Sequence, residues 1–371
     1  MKITFFLFVF SFILLLVGLA SLRGWQVLAT FGQIKYWYVG AHILFLIVLL
    51  VGMMSRGALS PELAKVISFV GFSYFIMLIY LLLSFFLVDI VRLFNLVLHF
   101  APVGMKAFRM WVFFGTLPLI FVAMIYGNYK FNHPTIVNLD LQVEKALQHK
   151  SLKIVAVSDI HLGVSIEKKR LKKYVELINA QKPDIVLMAG DIADNSTQPL
   201  IDQKMSEELS QIKAPLGVFA ISGNHEFYAE NPFSTAEYLK TAGIIFLRDT
   251  SVCIDNSFYV VGRDDKTNNL REKLGDLVQN LDKSKPIILL DHQPFKLNEA
   301  QENEVDLQIS GHTHNGQFFP VNLIVKLMYE LSHGYLKKGK THYYVSSGLG
   351  LWGPQYRIGT QSELVVINLK Y

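Results

Sequence analysis

The sequence contains little cysteine and, over its first third, little acidic charge. Cys253 is the only cysteine among the 371 residues, so the chain cannot form an intrachain disulfide. Its apolar neighbours predict a buried strand position for this thiol. Residues 1–130 contain two acidic residues, Glu62 and Asp89, against nine lysines and arginines, whereas the rest of the chain has 26 basic and 28 acidic side chains. The excess of basic charge therefore belongs to the N-terminal part alone.

This distribution argues against nucleic-acid binding as the reason for the basic pI near 9.0. A nucleic-acid-binding domain carries its basic residues in a cluster on one face. Here they flank apolar segments, as they do in the loops of membrane proteins. The C-terminal part has no basic run beyond residues 168–170 and 172–173, which we assign to a solvated helix face. We expect no nucleic-acid partner.

Four long apolar stretches occupy the first 130 residues, at about 4–22, 37–54, 64–88 and 110–127. A helix needs roughly 20 apolar residues to cross the core of a bilayer, and too little polar surface is present to cover four such helices in water. We therefore predict a four-helix transmembrane region at 1–130, in contact with membrane lipid, and a multi-pass protein of the cell membrane. No stretch carries a charge at its centre, which argues against a transport pathway.

Two properties of this region stay open at the level of sequence. The first stretch is also compatible with a signal peptide, because Gly18 and Ala20 are small residues suited to precede a cleavage site. The topology is undecided, because the basic residues divide five against four between the two sets of loops. At the end of the third stretch, Asp89 and Arg92 lie three residues apart and can form an ion pair on one helix face.

After residue 131 the pattern changes to short runs rich in valine and isoleucine that alternate with amphipathic segments. The runs predict strands at 152–157, 185–188, 217–221, 258–262, 286–290, 306–310, 342–346 and 363–369, with helices at 166–181 and about 232–242. Alternating strands and helices followed by further strands indicate an α/β layered sandwich over residues 131–371.

Side chains suited to metal coordination follow five of these strands. The segments are Ser158-Asp159-Ile160-His161, Gly190-Asp191, Gly223-Asn224-His225-Glu226, Asp291-His292 and Gly311-His312-Thr313-His314. Loops beyond the carboxyl ends of strands can converge on one crevice in an open α/β sheet. Their carboxylates, imidazoles and amide, without a thiolate, suit Mn, Fe, Zn, Mg or Co. A lone aspartate can bridge two such ions, and glycines before Asp191, Asn224 and His312 allow tight turns that aim these side chains.

The ordered set of segments resembles the motifs of the calcineurin-like metallophosphoesterase family over about residues 152–370. The segments 291–294, 311–317 and 346–354 are similar to a bacterial membrane-associated or exported branch of that family. The resemblance implies a four-layer αββα sandwich, two divalent metal ions as cofactors and a phosphate-containing substrate, and it favours an extracytoplasmic domain. The predicted membrane region makes a lipid-linked phosphate one candidate substrate.

The resemblance also implies a role for each matching position. Asp159, His161 and His314 would hold the first metal, and Asn224, His292 and His312 the second. Asp191 would bridge the two ions, so that Asp191, Asn224 and His225 form the catalytic group. His225 would face the phosphate and protonate the leaving oxygen. The commoner pattern has an aspartate after this histidine, where this chain has Glu226, whose longer carboxylate could still orient the imidazole.

The predicted activity is hydrolysis of a phosphoester or pyrophosphate bond by a metal-bridging hydroxide, because metal binding lowers the pKa of water from about 15.7 toward 7. The alternative is a membrane sensor or scaffold whose metal site binds a phosphoryl ligand without turnover. Such a site would be expected to lack a ligand or His225, and the sequence lacks none of them.

Three further segments have two interpretations each. Arg357 is expected to form a salt bridge, with a substrate phosphate as the alternative partner. The pair Asp264-Asp265 is expected to be a turn rather than a third metal site. The aromatic and apolar segment Phe318–Leu336, followed by three lysines, is expected to be a core helix with a solvated end. The alternative for this last segment is that it leans on the bilayer.

Overall fold

The computed structural model describes residues 2–54, 59–99, 105–145, 151–229 and 231–370. The chain forms two compact units. The first, which we call the helical unit, comprises Met1–Asn128 and Gly353–Gln355. The second, which we call the sheet unit, comprises Tyr129–Trp352 and Tyr356–Tyr371.

Within the described residues, the helical unit consists of four long helices. They are α1 (Lys2–Leu28), α2 (Ile34–Met54), α3 (Pro61–Leu98) and α4 (Met105–Asn132). Each helix is long and apolar enough to cross a membrane, with candidate spans at Leu7–Leu28, Ile34–Met54, Pro61–Leu98 and Lys106–Asn132. The helices are longer than the predicted stretches. The prediction counted apolar residues only, whereas each helix also includes the less apolar residues at its ends. Ser60 caps the start of α3 by accepting a hydrogen bond from the Leu63 amide.

Side chains of α1, α2 and α3 pack together in the helical unit. The buried members of this cluster are Ile13, Val17, Ala20, Leu49, Tyr74 and Leu78. Asp89 of α3 accepts a hydrogen bond from Arg92 at 3.2 Å, which confirms the predicted ion pair. Asp89 also accepts one from Arg23 of α1 at 2.5 Å, so the same carboxylate links two helices.

The sheet unit alternates short strands and helices. Its elements are β1 (Thr135–Gln142), β2 (Ser151–Val157), α5 (Lys168–Ala180), β3 (Ile185–Met188), α6 (Gln198–Asp202), α7 (Ser206–Leu209), β4 (Val218–Ala220), α8 (Asn224–Tyr228), α9 (Ser234–Lys240), β5 (Ile245–Phe246), β6 (Thr250–Ile254), β7 (Phe258–Gly262), α10 (Leu274–Val278), β8 (Ile287–Leu290), α11 (Asn298–Glu302), β9 (Leu307–Ser310), α12 (Val321–Met328), β10 (Gly334–Lys338), β11 (Thr341–Val345) and β12 (Glu363–Lys370), with a single 3₁₀ turn at His314–Gly316.

The strands form two six-stranded sheets. The first has the order β1-β12-β2-β3-β4-β5, and the second has the order β10-β11-β9-β8-β7-β6. From β2 to β5 the first sheet is parallel, and so is the second from β11 to β7. The strands that carry the predicted ligands therefore end at a common edge within each sheet.

The two sheets pack face to face between two layers of helices. On β2, Val155 faces α5, whereas Ile154 points between the sheets. On β8, Ile288 joins the same core between the sheets, whereas Leu289 packs under α10 and α11. Because side chains alternate along a strand, each sheet buries both of its faces. The result is the predicted four-layer αββα sandwich.

The strands predicted from valine and isoleucine runs are all present, each within one residue of its predicted ends. The strands that the sequence did not predict are β1, β5, β6 and β10. These four are the edge strands of the two sheets. An edge strand is covered on fewer sides, so its sequence contains fewer consecutive apolar residues.

Two expectations about burial were wrong. Cys253 is exposed because the alternation along β6 turns Ile254 into the core between the sheets and turns Cys253 to solvent. The core helix predicted for Phe318–Leu336 is limited to α12, Val321–Met328, and none of its residues is buried. The apolar spacing along α12 indicated a helix correctly, but the spacing does not specify what covers the apolar face.

Candidate metal centre

The predicted ligands meet beyond the carboxyl ends of the strands in the sheet unit. Asp159 and His161 follow β2, Asp191 follows β3 and Asn224 follows β4. From the second sheet, His292 follows β8, and the loop with His312 and His314 follows β9. These seven side chains come from five loops, and the structure brings all of them together.

One group of ligand atoms contains Asp159, His161 and His314. The Nε2 atoms of His161 and His314 are 3.2 Å apart, and Nε2 of His314 lies 3.4 Å from Oδ1 of Asp159. All three residues are buried. This group is the one predicted to hold the first metal.

A second group contains Asp191, His292 and His312. Oδ2 of Asp191 lies 3.1 Å from Nε2 of His292. The side-chain oxygen of Asn224 is 2.7 Å from Nδ1 of His312 and 3.3 Å from Nε2 of His292. The amide oxygen therefore completes the group that was predicted for the second metal.

Asp191 connects the two groups. Its Oδ2 lies 3.8 Å from Nε2 of His161 in the first group as well as close to His292 in the second. Asp191 also belongs to a third set of candidate ligand atoms, with His161 and His225. In each set the atoms lie within 4.8 Å of one another. This central position is the one that a bridging carboxylate requires.

The chemistry of these donors fits bound cations. Asp159 and Asp191 are buried, and within the described part of the chain neither forms an ion pair with a lysine or arginine. Burial of a carboxylate is costly unless a positive charge balances it, and for Asp191 the neighbouring imidazoles of His225 and His292 can supply part of that charge. Oxygen and imidazole donors of this kind bind divalent metals, and a bound cation would balance the charge.

The backbone at the ligands is held in an uncommon conformation. The φ angle is positive at five of the ligands. It is 52° at Asp159, His161 and Asp191, 70° at His312 and 49° at His314. Residues other than glycine adopt such left-handed angles infrequently, and in this chain they also occur in turns away from the crevice, such as those of Lys182 and Asp255. The turn after each strand thus directs the side chain into the crevice at a conformational cost.

The glycines of the motifs serve two different purposes. Gly190 has a φ of +87°, so it provides the turn that the sequence predicted before Asp191. At Gly223 and Gly311 the φ angle is not in the left-handed region, and the requirement is space. An added Cβ at Gly223 would lie 2.1 Å from Oδ1 of Asp191, and one at Gly311 would lie 2.2 Å from Oδ2 of Asp159.

Surrounding groups orient the ligands. Nδ1 of His292 is 2.7 Å from the Ala189 carbonyl, to which it can donate its proton, leaving Nε2 free to face Asp191. The backbone amide of His312 donates to both oxygens of Asp159, at 3.0 and 3.1 Å. Asp291, adjacent to His292, pairs with Arg263 and Arg271 and fixes the end of β8.

His225 lies beside the ligands, and its partner is a residue that the sequence analysis missed. Its Nδ1 is 3.0 Å from Oδ1 of Asp194, and its backbone amide donates to Oδ1 of Asp191 at 2.9 Å. Glu226, which the sequence left as a possible partner of the imidazole, does not contact the ring. Glu226 accepts hydrogen bonds from the backbone amides of Asp191, Ile192, Ala193 and Gly223. The available signal was the spacing Gly190-Asp191-x-x-Asp194.

The electrostatics divide the histidines into two kinds. Burial lowers the pKa of His161 to about 3 and that of His312 to about 4, which favours the neutral form that a metal ligand needs. At His292, by contrast, the charge of Asp191 outweighs burial and raises the pKa well above its usual value. Burial also disfavours the charged form of His225, but Asp191 and Asp194 outweigh it and raise its pKa to about 9. These two carboxylates therefore favour the protonated form of His225.

Two other candidates lie outside the ligand groups. Arg357 is fully buried, and it forms no salt bridge with any residue in the described ranges, contrary to expectation; it donates to the carbonyls of His314, Ser347, Gly348 and Gly350. In the pair Asp264-Asp265, Asp264 accepts from Arg248, and Asp265 accepts from Gln293. These carboxylates stabilise a loop, as expected.

The four-layer sandwich and the side chains at its strand ends agree with what the resemblance to metallophosphoesterases implied. The calcineurin-like phosphoesterase family matches residues 152–316 of this chain. An uncharacterised metallophosphoesterase of Campylobacter jejuni is 34% identical over 263 residues, which cover 69% of each chain. One of Aquifex aeolicus is 31% identical over 265 residues, covering 68% of this chain and 98% of the relative.

A relative from Danio rerio, a transmembrane protein with metallophosphoesterase domain, is 32% identical over 253 residues, covering 64% of this chain and 57% of the relative. The chain belongs to the calcineurin-like metallophosphoesterase family, as its motifs indicated. The four apolar helices, together with relatives described as transmembrane proteins, indicate membrane association.

Proposed function

We propose that residues 131–371 form a domain that hydrolyses a phosphoester or pyrophosphate bond with two divalent metal ions, and that residues 1–130 anchor it as a multi-pass membrane region. The observation that carries this proposal is the position of Asp191. It belongs to the group with His292 and His312, and its Oδ2 also lies 3.8 Å from Nε2 of His161 in the other group, so it stands between two sets of donors that each suit one cation. Membership of the metallophosphoesterase family supports the reaction type.

The two groups divide the ligands between two ions. Asp159, His161 and His314 would hold one ion, and Asn224, His292 and His312 would hold the other. Asp191 would contribute to both. Two bound cations would supply Lewis acidity toward the phosphoryl oxygens and would lower the pKa of a coordinated water. Mn, Fe, Zn, Mg and Co all suit these donors.

The protein's own contribution to the leaving group comes from His225. Asp194 accepts a hydrogen bond from Nδ1 of His225, and this bond fixes the imidazole ring in one orientation. The other ring nitrogen, Nε2, is then available to face the crevice. Because the carboxylate of Asp194 favours the protonated imidazole, Nε2 can donate a proton to the leaving oxygen. Asn224 adds an oxygen donor without adding negative charge, so the site stays attractive to a phosphate.

A sensor or scaffold that binds a phosphoryl ligand without turnover would use the same crevice. Binding alone does not need a protonated imidazole with a dedicated carboxylate partner. The His225–Asp194 pair therefore favours hydrolysis over binding.

The test is hydrolysis by the full-length chain in lipid vesicles, after removal of metal and separate addition of Mn, Fe, Zn, Mg or Co, with the product suited to each substrate measured: p-nitrophenol, inorganic phosphate or the cleaved lipid. Substrates should include bis(p-nitrophenyl) phosphate, a nucleoside diphosphate and a phospholipid. We expect hydrolysis that EDTA abolishes and that Asp191→Ala eliminates. A fully active Asp191→Ala variant would contradict the assignment of this residue. Phosphoryl ligand binding without hydrolysis of any ester or anhydride would favour the sensor.

A further inference from the structure

Helix α12 presents an apolar face to solvent. Leu323, Ile324, Leu327 and Met328 share one side of the helix, and Phe319 precedes it; all five side chains are exposed, with Leu327 at 89%. The spacing i, i+1, i+4, i+5 places these four residues on one stripe. Within the described residues nothing covers the stripe. Solvent-exposed apolar patches of this kind mark surfaces that contact a partner or a membrane.

The helix is joined to the candidate metal centre at both ends. The loop that carries His312 and His314 leads into it, and an added Cβ at Gly316 would lie 2.4 Å from the backbone of Asn322. At the other end, the Tyr329 ring lies 6.3 Å from the ring of His312. The apolar face therefore belongs to a helix that packs next to the loop of His312 and His314.

A lipid bilayer is the surface most readily available to this face. The same chain carries four helices able to span a membrane. The fourth ends at Asn132 and β1 begins at Thr135, so only two residues connect them. The face itself has the composition of a helix that lies in a membrane interface, because α12 contains no acidic residue and its one charged residue, Lys326, is next to the apolar stripe.

We infer that the face of α12, together with Phe319, docks onto the surface of a lipid bilayer, and that the metal centre takes its phosphoester from an amphiphile in that bilayer. The substrate class depends on the proposed phosphoester hydrolysis, whereas the docking does not. Docking would hold the headgroup layer against the loop of His312 and His314, where a lipid-borne phosphate can enter the crevice without leaving the membrane.

Lys337, Lys338 and Lys340 follow the segment Phe318–Leu336, but they contribute little positive charge to the apolar face of α12. Lys337 and Lys338 lie on β10 rather than at the end of the helix. Lys338 pairs with Glu330 at 2.8 Å, and Lys340 pairs with Glu144 at 2.5 Å. Substitutions that test membrane contact therefore belong on the apolar stripe.

Docking is tested by fluorescence quenching on the full-length chain in vesicles of phosphatidylcholine and phosphatidylglycerol. With the exposed thiol removed by Cys253→Ser, an environment-sensitive label is attached at Leu327→Cys. The matched control is Leu270→Cys, because Leu270 belongs to the same unit and is 86% exposed. We expect quenching by brominated lipid at position 327 and little at 270. Equal quenching at both positions overturns the inference.

A second copy of the chain is the competing occupant of the apolar face. In that case the label at position 327 would respond to the number of protein molecules per vesicle and not to brominated lipid. That result would overturn membrane docking and assign the face to self-association.

The substrate class is tested with the double variant Ile324→Glu/Leu327→Glu, with Leu270→Glu as control. We expect hydrolysis of a phospholipid in vesicles to fall by about tenfold or more, because two apolar contacts with the bilayer are lost. Hydrolysis of soluble bis(p-nitrophenyl) phosphate should stay within about twofold, because the metal ligands are untouched. An equal loss on both substrates overturns the assignment. If the unaltered chain hydrolyses neither substrate, the proposed function fails, while the quenching result still decides docking.

Discussion

At the scale of single residues, the site depends on space as much as on ligand atoms. Gly223 is required because the carboxylate of Asp191 occupies the position that a Cβ would take. The sequence showed a glycine in a motif, and we interpreted it as a turn. The structure shows that any side chain at this position would displace the carboxylate that links the two ligand groups.

We therefore expect Gly223→Ala to abolish metal-dependent hydrolysis, by about a hundredfold or more, because a shift of the central ligand disturbs the geometry on which the reaction depends. Gly163→Ala is the matched control, because its added Cβ would lie 3.5 Å from Asp194 in ordinary contact. Hydrolysis rates with the soluble ester measure the effect. Equal activity of the two variants would show that Asp191 has more freedom than this structure indicates.

Asp194 gives a prediction for pH dependence. It raises the pKa of His225, so proton donation should persist at neutral pH and decline as the pH rises through that pKa. Asp194→Asn removes the negative charge, lowers the pKa of His225 and should move the alkaline limb of kcat to lower pH. The full pH profile of both chains measures this shift.

An unchanged alkaline limb in Asp194→Asn, with only a uniform loss of rate, would mean that Asp194 fixes the imidazole without controlling its proton. Glu226→Gln is the useful comparison, since Glu226 binds backbone amides and not the ring of His225. Its effect should appear mainly as lower stability.

At the scale of elements, the loop between β11 and β12 is organised by one buried cation. Arg357 donates to carbonyls in the His314 loop and in residues 347–350, and to the hydroxyl of Ser362. It therefore ties the metal-ligand loop to the C-terminal strand. A sequence shows the arginine but not that its partners are backbone oxygens, because these come from residues distant along the chain.

We expect Arg357→Met to destabilise the sheet unit by about 3–5 kcal/mol, because several buried carbonyls lose their donor. Arg357→Lys should recover part of this loss, since an ammonium offers three donors where the guanidinium offers five. Thermal unfolding of the full-length chain followed by circular dichroism gives the comparison. If Arg357→Met unfolds at the temperature of the unaltered chain and only raises KM, Arg357 contacts substrate instead.

The elements that could be predicted from sequence are those stabilised by local pattern. Central strands such as β3 are buried on both faces and appear as unbroken apolar runs. The edge strand β1 is mostly exposed and pairs with β12, more than two hundred residues away. Seven ligands were predicted from their motifs, whereas Asp194 was missed because its role comes from a contact with His225, 31 residues along the chain, that its own motif does not show. Nothing in the sequence of α12 indicated which face would stay uncovered.

For the whole molecule, we expect metal binding to raise the stability of the folded state. A cation that binds only the folded sheet unit stabilises it by mass action, by about 2.7 kcal/mol at a concentration a hundred times the Kd. We expect EDTA to lower the unfolding temperature of the full-length chain and Mn or Zn to restore it. The Asp191→Ala variant should respond far less. An EDTA effect of equal size in that variant would place the bound metal elsewhere.

We propose that two groups of ligands, connected by Asp191, hold two divalent cations in one crevice. The most direct measurement is the metal content of the full-length chain by mass spectrometry, after equilibrium dialysis against Mn or Zn. We expect about two metal ions per chain, and well below two per chain for the Asp191→Ala variant. A chain that binds no metal, or that binds the same amount with and without Asp191, would contradict it.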